Sequence, residues 1–226
     1  VNNKIFATTG KNDSVLYALD KQNGEKIWEF NADSALGTPA MDENRLYIIS
    51  HGSMSSSPSL FALDITTGEI LWKLDNNYFD SQARTHFPVL FDDRVYAIVL
   101  VTGQSANKLV AYNTETGEEE WSMEGGAPIT VADGTLVSPR GIMNINTGEM
   151  NKFPRRTGQS TIVGNSILTP ISGSGAPAAF NRKDGSFLWA IGDSNDYYDL
   201  FTAPIYANGL IFVGTSRGLR AISIKN

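Results

Sequence analysis

Apolar and polar residues alternate through Leu60–Leu74, LFALDITTGEILWKL, with one break at Asp64–Gly68. Period-two alternation rich in β-branched and aromatic residues predicts two strands, and the Asp-x-x-Thr-Gly break predicts the tight turn joining them. The same pattern stands at Leu16–Phe30 (LYALDKQNGEKIWEF) and at Leu109–Met123 (LVAYNTETGEEEWSM). Looser copies lie at Ile142–Phe153 (IMNINTGEMNKF) and Ala178–Ile191 (AAFNRKDGSFLWAI), and a half-copy at Leu219–Lys225. Self-similarity at this spacing predicts a repeat architecture. The turn glycines, Gly24, Gly68, Gly117, Gly148 and Gly185, are expected at φ > 0, where they close short hairpins with a bulge. In the fourth copy Lys152 stands where the others carry Trp, and Phe153 substitutes one position on.

A second strand pair alternates with the first. Thr38–Ile49, Phe87–Ile98, Pro128–Val137, Ser160–Leu168 and Pro204–Val213 each read as strand, polar turn, strand. Every module then has four strands, A to D, with tight A–B and C–D hairpins. Four-stranded antiparallel modules repeated along a chain predict an all-β propeller, here of about six blades. The B–C pairs run Lys4–Asp20, Arg45–Asp64, Arg94–Asn113, Thr135–Asn144, Ser166–Asn181 and Leu210–Ile224. Strand A of the first blade and strand D of the last have no counterpart, so both blades are expected to be incomplete. Three accounts suit that pattern: excision from a longer propeller, which the boundary within a turn favours; tolerated open edges; or a strand donated by a partner. Residues 1–226 are otherwise expected to form a single domain.

Composition narrows the partners. Eighteen basic residues against twenty-four acidic ones give a net charge of −6, the wrong sign for nucleic acid or an anionic membrane. There is no cysteine, hence no disulfide, thiol nucleophile or thiolate metal site. No apolar run approaches the roughly 20 residues of a membrane helix. The chain opens on Val1 with no signal peptide, and a removed leader or a trimmed boundary is expected.

The repeat A-L-D-x-x-T-G-E-x-x-W resembles that of the PQQ-like, or quinoprotein-type, β-propeller family, and the resemblance covers essentially the whole chain. The family holds quinoprotein dehydrogenases and non-catalytic members, among them the lipoprotein of the bacterial outer-membrane assembly machine and extracellular sensor domains. What the resemblance implies is the fold, and an extracytoplasmic location, periplasmic or secreted. Function resides in sites grafted on the fold. The dehydrogenases have eight blades, a vicinal disulfide near the cofactor and a catalytic Asp beside calcium or a lanthanide. This sequence has no Cys, about six blades and no Asp that matches that base. No PQQ is therefore expected, and calcium has only the loose acidic stretch Asp193–Asp199, which lacks the glycine turn and distal Glu of a calcium loop.

Trp28, Trp72, Trp121 and Trp189 share one repeat position. An aromatic ligand site would need one constellation, so four copies are expected to pack between blades. The Thr-Gly-Glu turns are likewise hairpin chemistry. His51 and His86 stand in different blades without a partner at metal-ligand spacing, so no metal site is expected from them.

Loop length carries the functional expectation. The A–B and C–D turns are uniformly short. The B–C connections Ser50–Ser59, Val101–Lys108 and Ile171–Pro177 are expanded, as are the interblade connections Asp75–His86 and Gly192–Thr202. Function gathers on long loops held by a rigid scaffold. The two interblade connections resemble each other and lie three blades apart, facing across the axis of a six-fold ring. Tyr78, Phe79, Arg84, His86, Asp196, Tyr197 and Tyr198 then form either a ligand-binding mouth or a cap that buries its aromatics against blade edges. The reading is a non-catalytic scaffold binding a protein, peptide or small ligand on this face. The alternatives are an enzyme using Arg84, His86 and an acid from Asp193–Asp199, or a structural part of a larger assembly.

Overall fold

The structure, a computed structural model, describes residues 3–9, 14–32, 34–51, 58–75, 87–99, 107–124, 129–154, 157–171, 175–191, 203–215 and 218–223. Every regular element among them is a β-strand. The residues group into two compact units, Val1–Gly125 and Gly126–Asn226.

The first unit holds three antiparallel sheets. One has three strands, β1 (Lys4–Thr8), β2 (Val15–Asp20) and β3 (Lys26–Asn31). The next is β4 (Ala40–Met41), β5 (Arg45–Ser50), β6 (Ser59–Asp64) and β7 (Ile70–Asp75). The third is β8 (Val89–Phe91), β9 (Arg94–Val99), β10 (Lys108–Asn113) and β11 (Glu119–Glu124). Each runs in chain order, so alternate connections leave from the same end of the sheet.

The second unit repeats this. Its sheets are β12 (Thr130–Ala132), β13 (Thr135–Ser138), β14 (Gly141–Asn144), β15 (Met150–Lys152); then β16 (Thr161–Val163), β17 (Ser166–Pro170), β18 (Pro177–Asn181), β19 (Phe187–Ala190); then β20 (Ile205–Ala207), β21 (Leu210–Thr215), β22 (Gly218–Ser223). The first and last sheets have three strands where the others have four, as the sequence pattern requires. B–C pairing starts at the expected residues in five sheets, Arg45 opposite Asp64 being one. In the sixth, Leu210 faces Ser223 rather than Ile224, because the register is set at the loop end, where Thr215 faces Gly218.

The core lies between neighbouring sheets, built mainly by the B and C strands with the D-strand aromatics added. Leu16, Ala18, Trp28, Phe30, Leu46, Ile48, Phe61 and Leu63 bury together between the first two sheets. Tyr47, Ile49, Leu60, Val95, Val110 and Tyr112 do so between the second and third. In the second unit Val137, Ile142, Phe153, Ile167 and Phe180 form one cluster, and Leu168, Ala179, Ile211 and Val213 another. Successive side chains of a strand point to opposite faces. Near-continuous apolar runs such as Leu46–Ile49 therefore mean sheets packed on both faces.

Two A–B hairpins close on positive-φ pairs, Asp133 (44°) with Gly134 (72°) and Asn208 (52°) with Gly209 (76°), the signature of a type I′ turn. The C–D hairpins carry a bulge. Ala18 faces Trp28 but Leu19 faces Lys26, and the same shift falls between Ala62 and Leu63, Ala111 and Tyr112, and Ala179 and Phe180. Ile27, Leu71, Glu120 and Leu188 are the extra residues. The fourth sheet keeps an unbroken register, Met143 to Met150, Ile142 to Asn151 and Gly141 to Lys152. Gly141 permits this: a Cβ there would stand 2.2 Å from the Asn151 carbonyl oxygen. Without the extra residue the facing of the strand shifts by one, so Phe153 rather than residue 152 points where the other blades place Trp.

Candidate functional site

The seven residues expected to form the mouth, Tyr78, Phe79, Arg84, His86, Asp196, Tyr197 and Tyr198, lie outside the described residues. What is described is the frame from which their loops depart. In the second sheet the B–C connection leaves at Ser50 and returns at Ser59, a pair held by the Ser59 N–H donating to Ser50 Oγ at 3.0 Å. The interblade connection leaves at Asp75, whose carboxylate accepts from Ser59 Oγ at 2.7 Å and pairs with Lys73 at 2.8 Å. The Lys73 and Ser59 contacts hold the Asp75 carboxyl below its ordinary pKa. His51, at the same end of this sheet, donates its backbone N–H to the Ala35 carbonyl at 2.8 Å.

The opposite end is built of locked turns. In the second blade Asp64 Oδ1 accepts from the Thr66 and Thr67 N–H groups at 2.7 and 2.8 Å, and the Gly68 N–H donates to the Asp64 carbonyl at 2.9 Å. Those backbone donors, Thr67 first, depress the Asp64 pKa. Asn113, Asn144 and Asn181 serve the same purpose in later blades. The residue after the Asp or Asn joins the turn to its own A–B hairpin: Ile65 N–H to Asn44 O, Thr114 N–H to Asp93 O, Arg182 N–H to Asn165 O. Its carbonyl receives the indole of the preceding blade. Trp28 Nε1 donates to Ile65 O at 3.3 Å and Trp72 Nε1 to Thr114 O at 3.0 Å.

The same indoles lie flat on the turn glycines. A Cβ on Gly68 would stand 2.7 Å from Trp28 Cε3, and one on Gly117 2.9 Å from Trp72 Cδ2. Trp28 is buried; Trp72, Trp121 and Trp189 are half-buried. Gly24, Gly68, Gly117, Gly148 and Gly185 all have φ between 71° and 78°. Tyr47 adds a second tie: its hydroxyl lies 3.1 Å from Asp42 Oδ2 and 3.4 Å from the Thr114 carbonyl. Burial, then Asp42, raises its pKa far above the ordinary tyrosine value.

Between the fourth and fifth blades the aromatic is Phe153, which stacks on Phe180 at 4.7 Å and has no N–H to give. Arg182 makes the connection instead. Its Nε donates to Thr135 Oγ1 at 3.0 Å, and its two terminal nitrogens reach Asp133 Oδ2, Gly164 O, Ala132 O and Asp133 O at 2.9–3.3 Å. Beside it opens a cavity of about 370 Å³ lined by Thr135, Asn165, Asn181, Arg182 and Lys183. This cavity escaped the sequence reading, although the fifth turn, Asn181-Arg-Lys-Asp-Gly185, alone puts two adjacent cations where the others carry at most one. Among the described residues no group of three His, Asp or Glu side chains converges as a metal would require. The acidic stretch Asp193–Asp199 lies outside the described residues. No helix is long and apolar enough to cross a membrane among the described residues.

Consecutive antiparallel blades, with Trp28, Trp72 and Phe153 each set against the turn glycine of the following blade, define a β-propeller protein of the PQQ-like repeat class. The chain belongs to the family of the outer membrane protein assembly factor BamB, whose family model matches residues 11–226. BamB from Moraxella catarrhalis shares the fold, with a TM-score of 0.73 at 20% identity over 98% of this chain and 67% of that one. The dihydro-heme d1 dehydrogenase NirN does so as well, with a TM-score of 0.70 at 12% identity over 98% of this chain and 53% of that one. A polyvinylalcohol dehydrogenase of Sphingopyxis sp. (strain 113P3) is 31% identical over 140 residues, 54% of this chain. The chain spans about a fifth of the length of that relative, the alignment covering 21% of it.

Proposed function

We propose that the chain is a non-catalytic, extracytoplasmic scaffold that binds another protein or a peptide through the end of its blades bearing the long B–C and interblade loops. Membership in the BamB family carries this reading, because an outer membrane protein assembly factor acts on other proteins. The contrast between the two ends of each blade supports the face. One end spends its polar groups on locking turns; the other launches long connections from anchored strand ends such as Ser50, Ser59 and Asp75. A rigid frame with long loops is the usual setting of a binding surface. Tyr78, Phe79, Arg84, Tyr197 and Tyr198 then touch the partner.

Photoreactive residues placed at 78, 84 and 197, and separately at Thr66 and Glu115 in the turns, test this in the cell envelope. Protein crosslinks from the loop positions alone are expected. Crosslinks from the turn positions alone reject the face. The likeness to polyvinylalcohol dehydrogenase favours a second reading, an oxidoreductase with its site at the same mouth. Dye-coupled oxidation of alcohols by the purified chain with PQQ and Ca²⁺, abolished by Arg84→Ala, would establish that reading and exclude the first.

A further inference from the structure

The cavity beside Arg182 lies at the turn end of the fourth and fifth blades, away from the long loops. Its polar groups are unevenly spent. Arg182 has five N–H donors, and all five are engaged by the acceptors of Thr135, Asp133, Gly164 and Ala132. Its guanidinium, with only 17% of the side chain exposed, is a fixed positive wall rather than a free hand. Around it stand donors with nothing to donate to. Thr135 Oγ1 accepts from Arg182, which leaves its own hydrogen free. Asn181 Oδ1 accepts from the Lys183 backbone N–H at 2.8 Å, which leaves its amide hydrogens free. The Asn165 amide and the Lys183 ammonium meet no acceptor among the described residues. The lining itself carries two cations and no carboxylate in a chain whose total is −6; Asp133, outside it, pairs with Arg182, and Asp184 lies within electrostatic reach of Lys183.

A cavity rich in free donors, lined by two cations and no carboxylate, selects an anion. Its volume suits a side chain or a small molecule. We infer that this cavity binds a carboxylate group, held by the Lys183 ammonium and the Asn165, Asn181 and Thr135 donors over the Arg182 guanidinium. The carboxylate comes either from an acidic side chain of a protein partner or from a free dicarboxylate. The site is separate from the loop face and stands whether or not that face binds protein.

Amide chemical shifts of the isotope-labelled chain read the binding, with a blocked tetraglutamate peptide, succinate and inorganic phosphate as probes. Saturable shifts at Thr135, Asn165 and Lys183 with a carboxylate probe are expected. Lys183→Glu should weaken that binding by at least about tenfold, since it replaces attraction by repulsion at contact distance, and Asn165→Ala should weaken it less. Lys183 is exposed and its side chain holds nothing in place, so the variant should melt with the parent. Tighter peptide binding assigns the acidic partner, and equal or tighter succinate binding assigns the free dicarboxylate. Absence of saturable shifts, unchanged affinity in Lys183→Glu, or phosphate outcompeting both carboxylates overturns the proposal.

Discussion

At the scale of single residues, the turn acid and the D-strand indole decide most of what the repeat does. Asp64 is ionised in the fold because two backbone N–H groups point at one of its oxygens. Its pKa is depressed from an unfolded value of about 3.9. The contribution of the ionised carboxylate is therefore complete above that value and is lost as pH falls through the lower folded one. Asparagine serves the same turn at Asn113, Asn144 and Asn181 without titrating. Asp64→Asn should thus fold with nearly parental stability at pH 7 and lose less of it between pH 5 and pH 2, as followed by denaturant midpoints; a parallel loss in both proteins would remove the carboxylate from the account. The indole is the heavier piece. Trp28 fills the seam between two sheets and its N–H satisfies the Ile65 carbonyl. Trp28→Ala should cost about 3–5 kcal/mol, the range for large buried aromatics, measured by urea unfolding. A loss below about 1 kcal/mol would mean the indole is dispensable to the seam. The four tryptophans were legible from spacing alone. Their acceptors were not, because the carbonyls of Ile65 and Thr114 lie some forty residues on and belong to the next blade.

At the scale of elements, hairpin chemistry and register account for how blades lock. Gly24 and Gly68 make a controlled comparison. Both have φ near 77°, yet a Cβ on Gly24 would meet open space while one on Gly68 would press into the Trp28 ring. Gly24→Ala should cost about 1–2 kcal/mol for the left-handed backbone alone. Gly68→Ala should cost about 1–3 kcal/mol more, because the indole must also move. Equal losses in the two variants would show that the ring does not bear on the glycine. The turns were readable because Asp or Asn, Thr and Gly have separate backbone duties at fixed offsets. The bulges were expected from the same turns, and their absence in the fourth sheet was not, since nothing in MNINTGEM announces that Gly141 lets its neighbour strand approach. That local difference moves the aromatic to Phe153 and removes an indole donor, and the Arg182 side chain supplies the tie between blades in its place. An arginine in a turn reads from sequence as solvated surface; only the facing A–B hairpin, with its carbonyls at Ala132 and Asp133, together with the Gly164 carbonyl of its own blade, turns it into a clasp.

At the scale of the whole molecule, short locked turns stand at one end of a blade and longer connections leave from the other, and that difference has a measurable consequence. Strand count and blade order were legible because the repeat is written into the alternation of side chains. The candidate mouth rests on loop length alone, and its seven residues lie outside the described ones. The difference between ends can be tested by insertion. The C–D turns ending at Gly68 and Gly117 are closed by several hydrogen bonds within a few residues and receive the rings of Trp28 and Trp72, so added residues break those bonds and displace the indole together. A B–C connection has only to join two strand ends already paired by Ser50 and Ser59. Loop-closure entropy grows slowly, about 0.6 kcal/mol for each doubling of length. Six Gly/Ser residues inserted between Ser50 and Ser59 should therefore cost less than about 1 kcal/mol. The same insertion between Thr66 and Thr67 forfeits the Asp64 cap, the Gly68 closure and the seat of Trp28. It should cost about 3 kcal/mol or more, on the scale of losing a large buried aromatic contact. Chemical denaturation of the two insertions against the parent gives both values. If the loop insertion proves as costly as the turn insertion, the long connections are part of the fold's support. The end that carries them would then lose its claim to be the free, adaptable one.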